Sequence, residues 1–230
     1  MKPEIIITAD GSHTLTVPGT NEHYHSVHGA IAESQHVYIN AGLKFSMKNN
    51  ELLNVLEIGF GTGLNALLTF CELGKLKVSC EYTAIEAFPL EEEIFVRLNY
   101  PELLKIETSV FLNMHHSAWN VKTNISSEFC LHKLHAVVGE INFPPDTFDL
   151  VYFDAFAPAV QPEMWTKEIF SSIYDAMKAN AVLTTYCTKG DVKRTLKETG
   201  FAITKLPGPI GKREILRAVK IPQHILQANN

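Results

Sequence analysis

The stretch Val55-Leu56-Glu57-Ile58-Gly59-Phe60-Gly61-Thr62-Gly63-Leu64-Asn65 constrains the fold more than any other part of the chain. An apolar strand runs into three alternating glycines and then into a helix-forming segment. Glycines let the backbone turn tightly and approach a ligand, and the helix N-terminus that follows favours acceptors and negative charge. Such an arrangement belongs in an open α/β sheet and suits a cofactor with an adenosine moiety. The dinucleotide fingerprint G-x-G-x-x-G wants a glycine where this chain has Leu64, and the glycines fall instead at 59, 61 and 63. Glu57, two residues before the first glycine, adds a carboxylate that would repel a pyrophosphate and welcome a cationic amino-acid moiety.

From residue 53 onward short apolar runs alternate with longer amphipathic ones, the pattern of a βαβ series. Strands are predicted at 53–58, 82–85, 136–138, 148–153 and 181–186, and helices at 64–73, 91–98, 109–118, 163–179 and 191–199. Runs this apolar suit strands covered on both faces, so the expectation is an α/β fold with a mostly parallel sheet sandwiched between helices. Segments 201–205 and 214–219, joined by Pro207-Gly208-Pro209-Ile210-Gly211, lie too close for a helical crossover and should close the sheet as an antiparallel pair. Ahead of the sheet, runs 5–8 and 14–17 flank Asp10-Gly11-Ser12 as a hairpin, and 30–43 has helical periodicity ending at Gly42. The expected organisation is an N-terminal extension of hairpin and helix, residues 1–43, packed on one domain, residues 44–230. A chain of 230 residues has room for these and none for a second catalytic domain.

The net charge of −5 is unevenly spread. Between residues 189 and 220 nine basic residues stand against three acidic ones, a local charge of +6. That end admits a polyanionic partner or, as composition alone favours, a pair of solvated amphipathic surfaces; a pI of 6.1 argues against a general nucleic-acid coat protein. Cys71, Cys80, Cys130 and Cys187 form no C-x-x-C and read as buried thiols in a reducing compartment. The N-terminal apolar run is too short for a signal sequence and no stretch reaches membrane-spanning length, so a cytoplasmic location is expected. The histidines of Glu22-His23-Tyr24-His25-Ser26-Val27-His28 and His115-His116 lack an H-E-x-x-H pattern and read as a surface loop or substrate-facing lid, with no metal expected.

Three further acids stand at predicted strand ends. Glu86 can accept both ribose hydroxyl protons, and Glu140, after Gly139, is placed to accept from an adenine amine. Active sites of open α/β sheets lie outside the carboxyl ends of the strands, which puts Asp154, in Phe153-Asp154-Ala155-Phe156-Ala157-Pro158, where a transferred group would react. For an amine acceptor a carboxylate can orient the ammonium and take its proton. Phe156 and Trp165 can stack on a base or seal the core, and Trp165, at a predicted helix start, is read as core. The Asn-Pro-Pro-Tyr loop of enzymes that methylate ring-bound exocyclic amines is absent.

The pattern E-x-G-x-G-x-G resembles motif I of the class I S-adenosylmethionine-dependent methyltransferases. Taken with Glu86-Ala87-Phe88-Pro89-Leu90, the Asp154 segment, Pro162-Glu163-Met164-Trp165 and Gly211-Lys212-Arg213-Glu214, the chain from about 36 to 218 resembles the methyltransferase half of the bifunctional tRNA wobble-uridine enzyme MnmC and its stand-alone form MnmD. The resemblance implies a Rossmann-like class I methyltransferase fold and N-methylation of the 5-aminomethyl group of (2-thio)uridine at the tRNA wobble position. It implies S-adenosylmethionine held by Glu57, Gly59, Gly61, Gly63, Asn65, Glu86, Gly139 and Glu140, and Asp154 as the catalytic residue facing the aminomethyl nitrogen. Phe156, Lys212 and Arg213 would shape the tRNA side. The family's Asp-Gly-Phe-Ala-Pro is Asp-Ala-Phe-Ala-Pro here, which is tolerated unless residue 155 needs a positive φ. The family's flavin-dependent oxidase half finds no space in 230 residues, so only the aminomethyl form is the expected acceptor. The residues by themselves leave open another RNA or small amine, a nicotinamide-dependent oxidoreductase, or a non-catalytic binding module.

Overall fold

The computed structural model describes residues 2–19, 22–47 and 52–222. Strands β1 (Glu4–Ile7) and β2 (His13–Thr16) form the antiparallel N-terminal hairpin. In its turn, Asp10 accepts from the backbone N–H of Ser12 at 3.0 Å and of Ala32 at 2.9 Å, fastening the hairpin to α1 (Ala30–Ser34). The helix continues as a π-helix, Gln35–Leu43, and finishes in α2 (Lys44–Ser46). The helix expected over 30–43 therefore does not stop at Gly42. That residue lies inside the wide turns, where a Cβ would stand 3.0 Å from Thr184 Oγ1 and 3.3 Å from the Tyr152 ring, so its role is close packing on the sheet.

The rest of the chain runs β3 (Leu52–Ile58), α3 (Leu64–Leu76), β4 (Ser79–Glu86), α4 (Glu92–Phe95), α5 (Tyr100–Leu104), α6 (Thr108–His116), β5 (Lys122–Asn124), β6 (Phe129–His135) and β7 (Phe148–Phe153). It ends with α7 (Lys167–Ala176), β8 (Met177–Thr185), α8 (Gly190–Thr199), β9 (Phe201–Pro207) and β10 (Glu214–Lys220). Eight strands form one sheet in the order β5-β6-β4-β3-β7-β8-β10-β9. The five from β6 to β8 are parallel, and the edges carry antiparallel strands: β5 on one side, the β9/β10 hairpin on the other. Side chains of β3 alternate between two cores. Leu53 and Val55 pack with Val37, Ile39, Leu67 and Tyr152, while Leu56 and Ile58 pack with Val151, Phe170 and Ile173 on the opposite face.

Three expected elements are corrected. The strand placed at 136–138 is β6, Phe129–His135, and Val138–Glu140 is a 3₁₀ turn beyond it. The buried alternation of β6 is Phe129, Leu131 and Lys133, and a lysine in the third inward position hides the strand from a hydrophobic reading. Lys133 tolerates burial because its Nζ donates to the His115 carbonyl and lies 4.5 Å over the Trp119 ring. The helix expected at 163–179 begins as the 3₁₀ turn Pro162–Trp165; α7 starts after Thr166, whose hydroxyl accepts from the Ile169 N–H, and stops at Ala176 because Met177 opens β8. The helix expected at 91–98 shrinks to the single turn α4. No helix among the described residues is long and apolar enough to cross a membrane.

Candidate functional site

The parallel strands end on one edge of the sheet, and a cavity of about 800 Å³ opens there. One wall is built by residues that follow the strand ends: Gly59 to Thr62 after β3, Glu86 to Phe88 at β4, Ala136 to Val138 after β6 and Asp154 to Ala157 after β7. The other wall comes from the N-terminal segment, with Tyr24, His25 and Glu33, and from Tyr186 and Lys212.

The glycine turn is locked to its neighbours. Gly59 and Phe60 both donate to the Ile85 carbonyl, at 3.0 and 3.1 Å. Gly59 has φ of +91°, and a Cβ there would stand 2.9 Å from the Asp154 carbonyl oxygen, so only glycine fits between the two strand ends. The Gly61 N–H donates to Glu86 Oε2 at 2.9 Å, and the Phe88 N–H donates to Oε1 at 2.8 Å. Glu86 is thereby held at the cavity with lone pairs to spare for hydroxyl donors. Gly63 sits behind this wall as the N-cap of α3, and does not line the cavity.

Asp154 follows the last residue of β7. Its Oδ1 accepts from the Tyr38 hydroxyl at 2.5 Å and its Oδ2 from the Asn65 amide at 2.8 Å. Burial pushes its carboxyl above the ordinary aspartate range, opposed by His25, Tyr38 and Asn65. His25 is itself buried, accepts or donates through Nε2 to Thr62 Oγ1 at 2.8 Å, and is driven toward the neutral imidazole by desolvation. Tyr24 and Phe156 meet edge to face, centroids 5.1 Å apart, as an aromatic corner of the cavity. The Phe156 backbone is clamped on both sides: its N–H donates to Gln161 Oε1 at 3.1 Å and its carbonyl accepts from Trp165 Nε1 at 2.9 Å. Trp165 itself is buried. Ala155 has no positive φ, so the alanine in Asp-Ala-Phe-Ala-Pro is accommodated without strain.

Of the residues singled out from sequence, the cavity wall includes Gly59, Gly61, Asn65, Glu86, Asp154, Phe156 and Lys212. Asn65 spends its amide on Asp154. Glu57 lies beneath the wall, fully buried on the β3 face shared with Val55. Burial pushes its carboxyl well above the usual range, only partly opposed by Asn65 and Tyr82 beside it, and neither oxygen makes a hydrogen bond of good geometry among the described residues. Gly139 and Glu140 are exposed in the 3₁₀ turn and outside the wall, because β6 ends earlier than the sequence suggested and brings Ala136, Val137 and Val138 to the cavity instead. Arg213 is exposed next to the wall residue Lys212. The histidines disperse: His25 faces the cavity, His115 stacks on Phe95 with centroids 4.3 Å apart and is pushed down to about 3 by burial, and His116 pairs with Glu92. Among the described residues no group of three or more His, Cys, Asp or Glu is placed to hold a metal ion. Sequence reading missed Tyr38 and Tyr186; no local motif marks either.

A strand-turn-helix with a glycine loop, an acid at the next strand end and a cavity outside the parallel strands define an open α/β enzyme that binds an adenosyl cofactor. Residues 102–221 match a family described as S-adenosyl-L-methionine-dependent methyltransferase, and the chain belongs to that family. Among curated proteins it is 30% identical over 213 residues, 84% of this chain and 33% of the relative, to the tRNA 5-methylaminomethyl-2-thiouridine biosynthesis bifunctional protein MnmC of Nitrosospira multiformis. The MnmC of Burkholderia multivorans is 28% identical over 222 residues, covering 88% of this chain and 33% of the relative. The chain thus spans about a third of the length of the curated relatives it matches. Among solved structures, MnmC2 from Aquifex aeolicus superposes with a TM-score of 0.77 at 26% identity, covering 96% of this chain and 71% of that one. Spermidine synthase from Thermotoga maritima shares the fold, with a TM-score of 0.58 at 15% identity over 95% of this chain and 69% of that one.

Proposed function

We propose that this methyltransferase transfers the methyl of S-adenosylmethionine to the 5-aminomethyl nitrogen of a (2-thio)uridine at the tRNA wobble position. The observation that carries the reading is Asp154, a carboxylate held at the carboxyl end of β7 by Tyr38 and Asn65 and facing the same cavity as the glycine turn. The names of the MnmC relatives supply the tRNA nucleoside, and the aromatic corner of Tyr24 and Phe156 offers a pyrimidine two apolar faces. A tRNA substrate accords with the expected cytoplasmic location.

The residues present fit the cofactor. Gly59 and Gly61 line the cavity, and Glu86, anchored by two backbone N–H groups, keeps acceptor capacity for ribose hydroxyls. Gly59, Gly61 and Glu86 would hold the adenosyl part, with Ala136 to Val138 along its edge. Glu57 would support this wall from beneath. When bound, S-adenosylmethionine supplies an electrophilic methyl on a sulfonium. An alkylammonium has no lone pair to attack it, so the proton must leave first. Asp154 accepts a hydrogen bond from the ammonium, takes that proton, and holds the freed amine in line. Lys212 borders the pocket with its charge engaged by Glu33, and the exposed Lys189, Lys197 and Arg213 are available for phosphates.

Nucleoside mass spectrometry of tRNA carrying unmethylated 5-aminomethyluridine, incubated with the protein and S-adenosylmethionine, tests the reading. Gain of one methyl at that nucleoside supports it. Cofactor binding with no gain would send the search to small amines or another RNA.

A further inference from the structure

The carboxylate of Asp154 is gripped by two neutral donors from different elements. Asn65 comes from the first turn of α3, and Tyr38 from the π-helix Gln35–Leu43. Tyr38 is 1% exposed, lies outside the cavity wall and packs its ring against Tyr152 with centroids 5.2 Å apart. Its hydroxyl reaches the reacting space only through Asp154. The backbone that delivers it is unusual: π-helical turns are rare and frequently lie at functional sites. Here the wide turns press on the sheet at Gly42 and direct a buried phenol at the end of β7.

We propose that Tyr38 is a positioning residue, whose hydroxyl fixes the Asp154 carboxylate with its remaining lone pairs toward the cavity and favours the ionised form that takes the proton of the acceptor ammonium. The inference rests on the amine-methylation reading above. In that step the N–H bond breaks, its electron pair stays on nitrogen and the proton moves to Asp154, to be lost to solvent after the product leaves. Tyr38 exchanges no proton; a hydrogen bond to the charged carboxylate is stronger than one to the neutral acid, and the difference lowers the acid's pKa. Other groups face Asp154 as well: His25 from the N-terminal segment, Glu33 from α1, Glu57 from β3, Tyr186 beyond β8, and Lys212, which acts through Glu33 and His25. Glu33 and Lys212 form an ion pair, burial disfavours ionisation of Glu57, and His25 gains its charge only in acid. At neutral pH Tyr38 and Asn65 remain as the direct donors that oppose burial of the carboxylate.

The test compares Tyr38→Phe with Tyr152→Phe. The second variant deletes a neighbouring buried hydroxyl that contacts Thr69 at 3.1 Å and leaves Asp154 untouched. In Tyr38→Phe the acid limb of the kcat/KM profile for aminomethyluridine tRNA should move up by about one pH unit, with the KM for S-adenosylmethionine little changed. In Tyr152→Phe the limb should stay. Asp154 is also titrated by 13C NMR in S-adenosylhomocysteine-bound protein, its signal assigned by loss in Asp154→Asn, and the same upward shift is expected there without any acceptor. Should Tyr38→Phe fold poorly, 3-fluorotyrosine at position 38, a stronger donor of nearly the same shape, should move the titration down. Absence of methyl transfer by the parent protein would overturn the functional reading alone. A Tyr38 replacement that folds and leaves the Asp154 titration in place, or that slows turnover equally at every pH, overturns the role given to Tyr38.

Discussion

Lys212 Nζ lies 2.6 Å from Glu33 Oε1 and 4.0 Å from the centre of the Tyr186 ring, so the turn between β9 and β10 is tied to α1 at the cavity wall. The Glu33 side chain is only 8% exposed. Its charge is tolerable there because the lysine and the Ser26 N–H, at 2.7 Å, both face it. Removing the lysine strands a buried carboxylate.

Lys212→Ala should therefore cost about 2 kcal/mol of stability, below the roughly 3–5 kcal/mol of a fully buried pair because the lysine keeps some solvent. Adding Glu33→Gln should return most of that loss, which urea unfolding of the double variant would read. A Lys212→Ala protein as stable as the parent would show that the pair contributes nothing.

Arg213, one residue on, is exposed and lines no part of the wall. If tRNA is the substrate, its charge faces phosphate while that of Lys212 is occupied internally. Arg213→Ala should raise the KM for tRNA and reduce the salt dependence of log KM by about one unit of slope. Lys212→Ala should leave the slope nearly in place. The reverse ranking, measured by KM over a salt series, would reassign the two residues.

For Asp154 the charge state sets the pH dependence. Only the carboxylate can take a proton, and burial raises its pKa above the ordinary value. kcat/KM should rise with pH through that raised pKa, giving an acid limb displaced upward from that of an exposed aspartate. Asp154→Asn should bind S-adenosylmethionine within about threefold of the parent and lose about 100-fold or more in kcat. Calorimetry and single-turnover kinetics separate these effects, and unchanged turnover would remove Asp154 from the chemistry.

What the sequence made legible follows from locality. The glycine turn, Glu86 and Asp154 each sit at the end of an apolar run, where residue type and position together announce a strand end and its ligand edge. Gly139 and Glu140 fall outside the wall for the same reason turned round: Lys133 interrupts the apolar alternation of β6, the apolar pattern puts the strand end too far along, and the wall at that point is Ala136 to Val138. Tyr38 and His25 come from segments far from the motif in sequence, and their approach to Asp154 and Thr62 depends on how the N-terminal extension packs. The histidine cluster hinted at a lid. Nothing in the spacing of Gln35–Leu43 announces a π-helix, because its apolar residues fit an α-helical reading as well.

Glu57 gives the last prediction, and the physics differs from that of a paired surface acid. It is 0% exposed and its folded-state pKa lies well above that of the free carboxyl, with burial as the main cause. Between the unfolded value near 4.5 and the raised folded value, the folded protein holds a proton that the unfolded chain has released. Folding then binds more protons than unfolding, so this residue makes stability fall as pH rises through that window. Glu57→Gln keeps the shape and removes the titration. The variant should match the parent near pH 4 and gain on it progressively above, by up to about 1.4 kcal/mol per pH unit while the difference is one full proton. Urea unfolding of the cofactor-free protein at pH 5, 6 and 7 reads that slope. A constant offset between variant and parent would mean that Glu57 is ionised in the fold, with its charge compensated beneath the glycine turn.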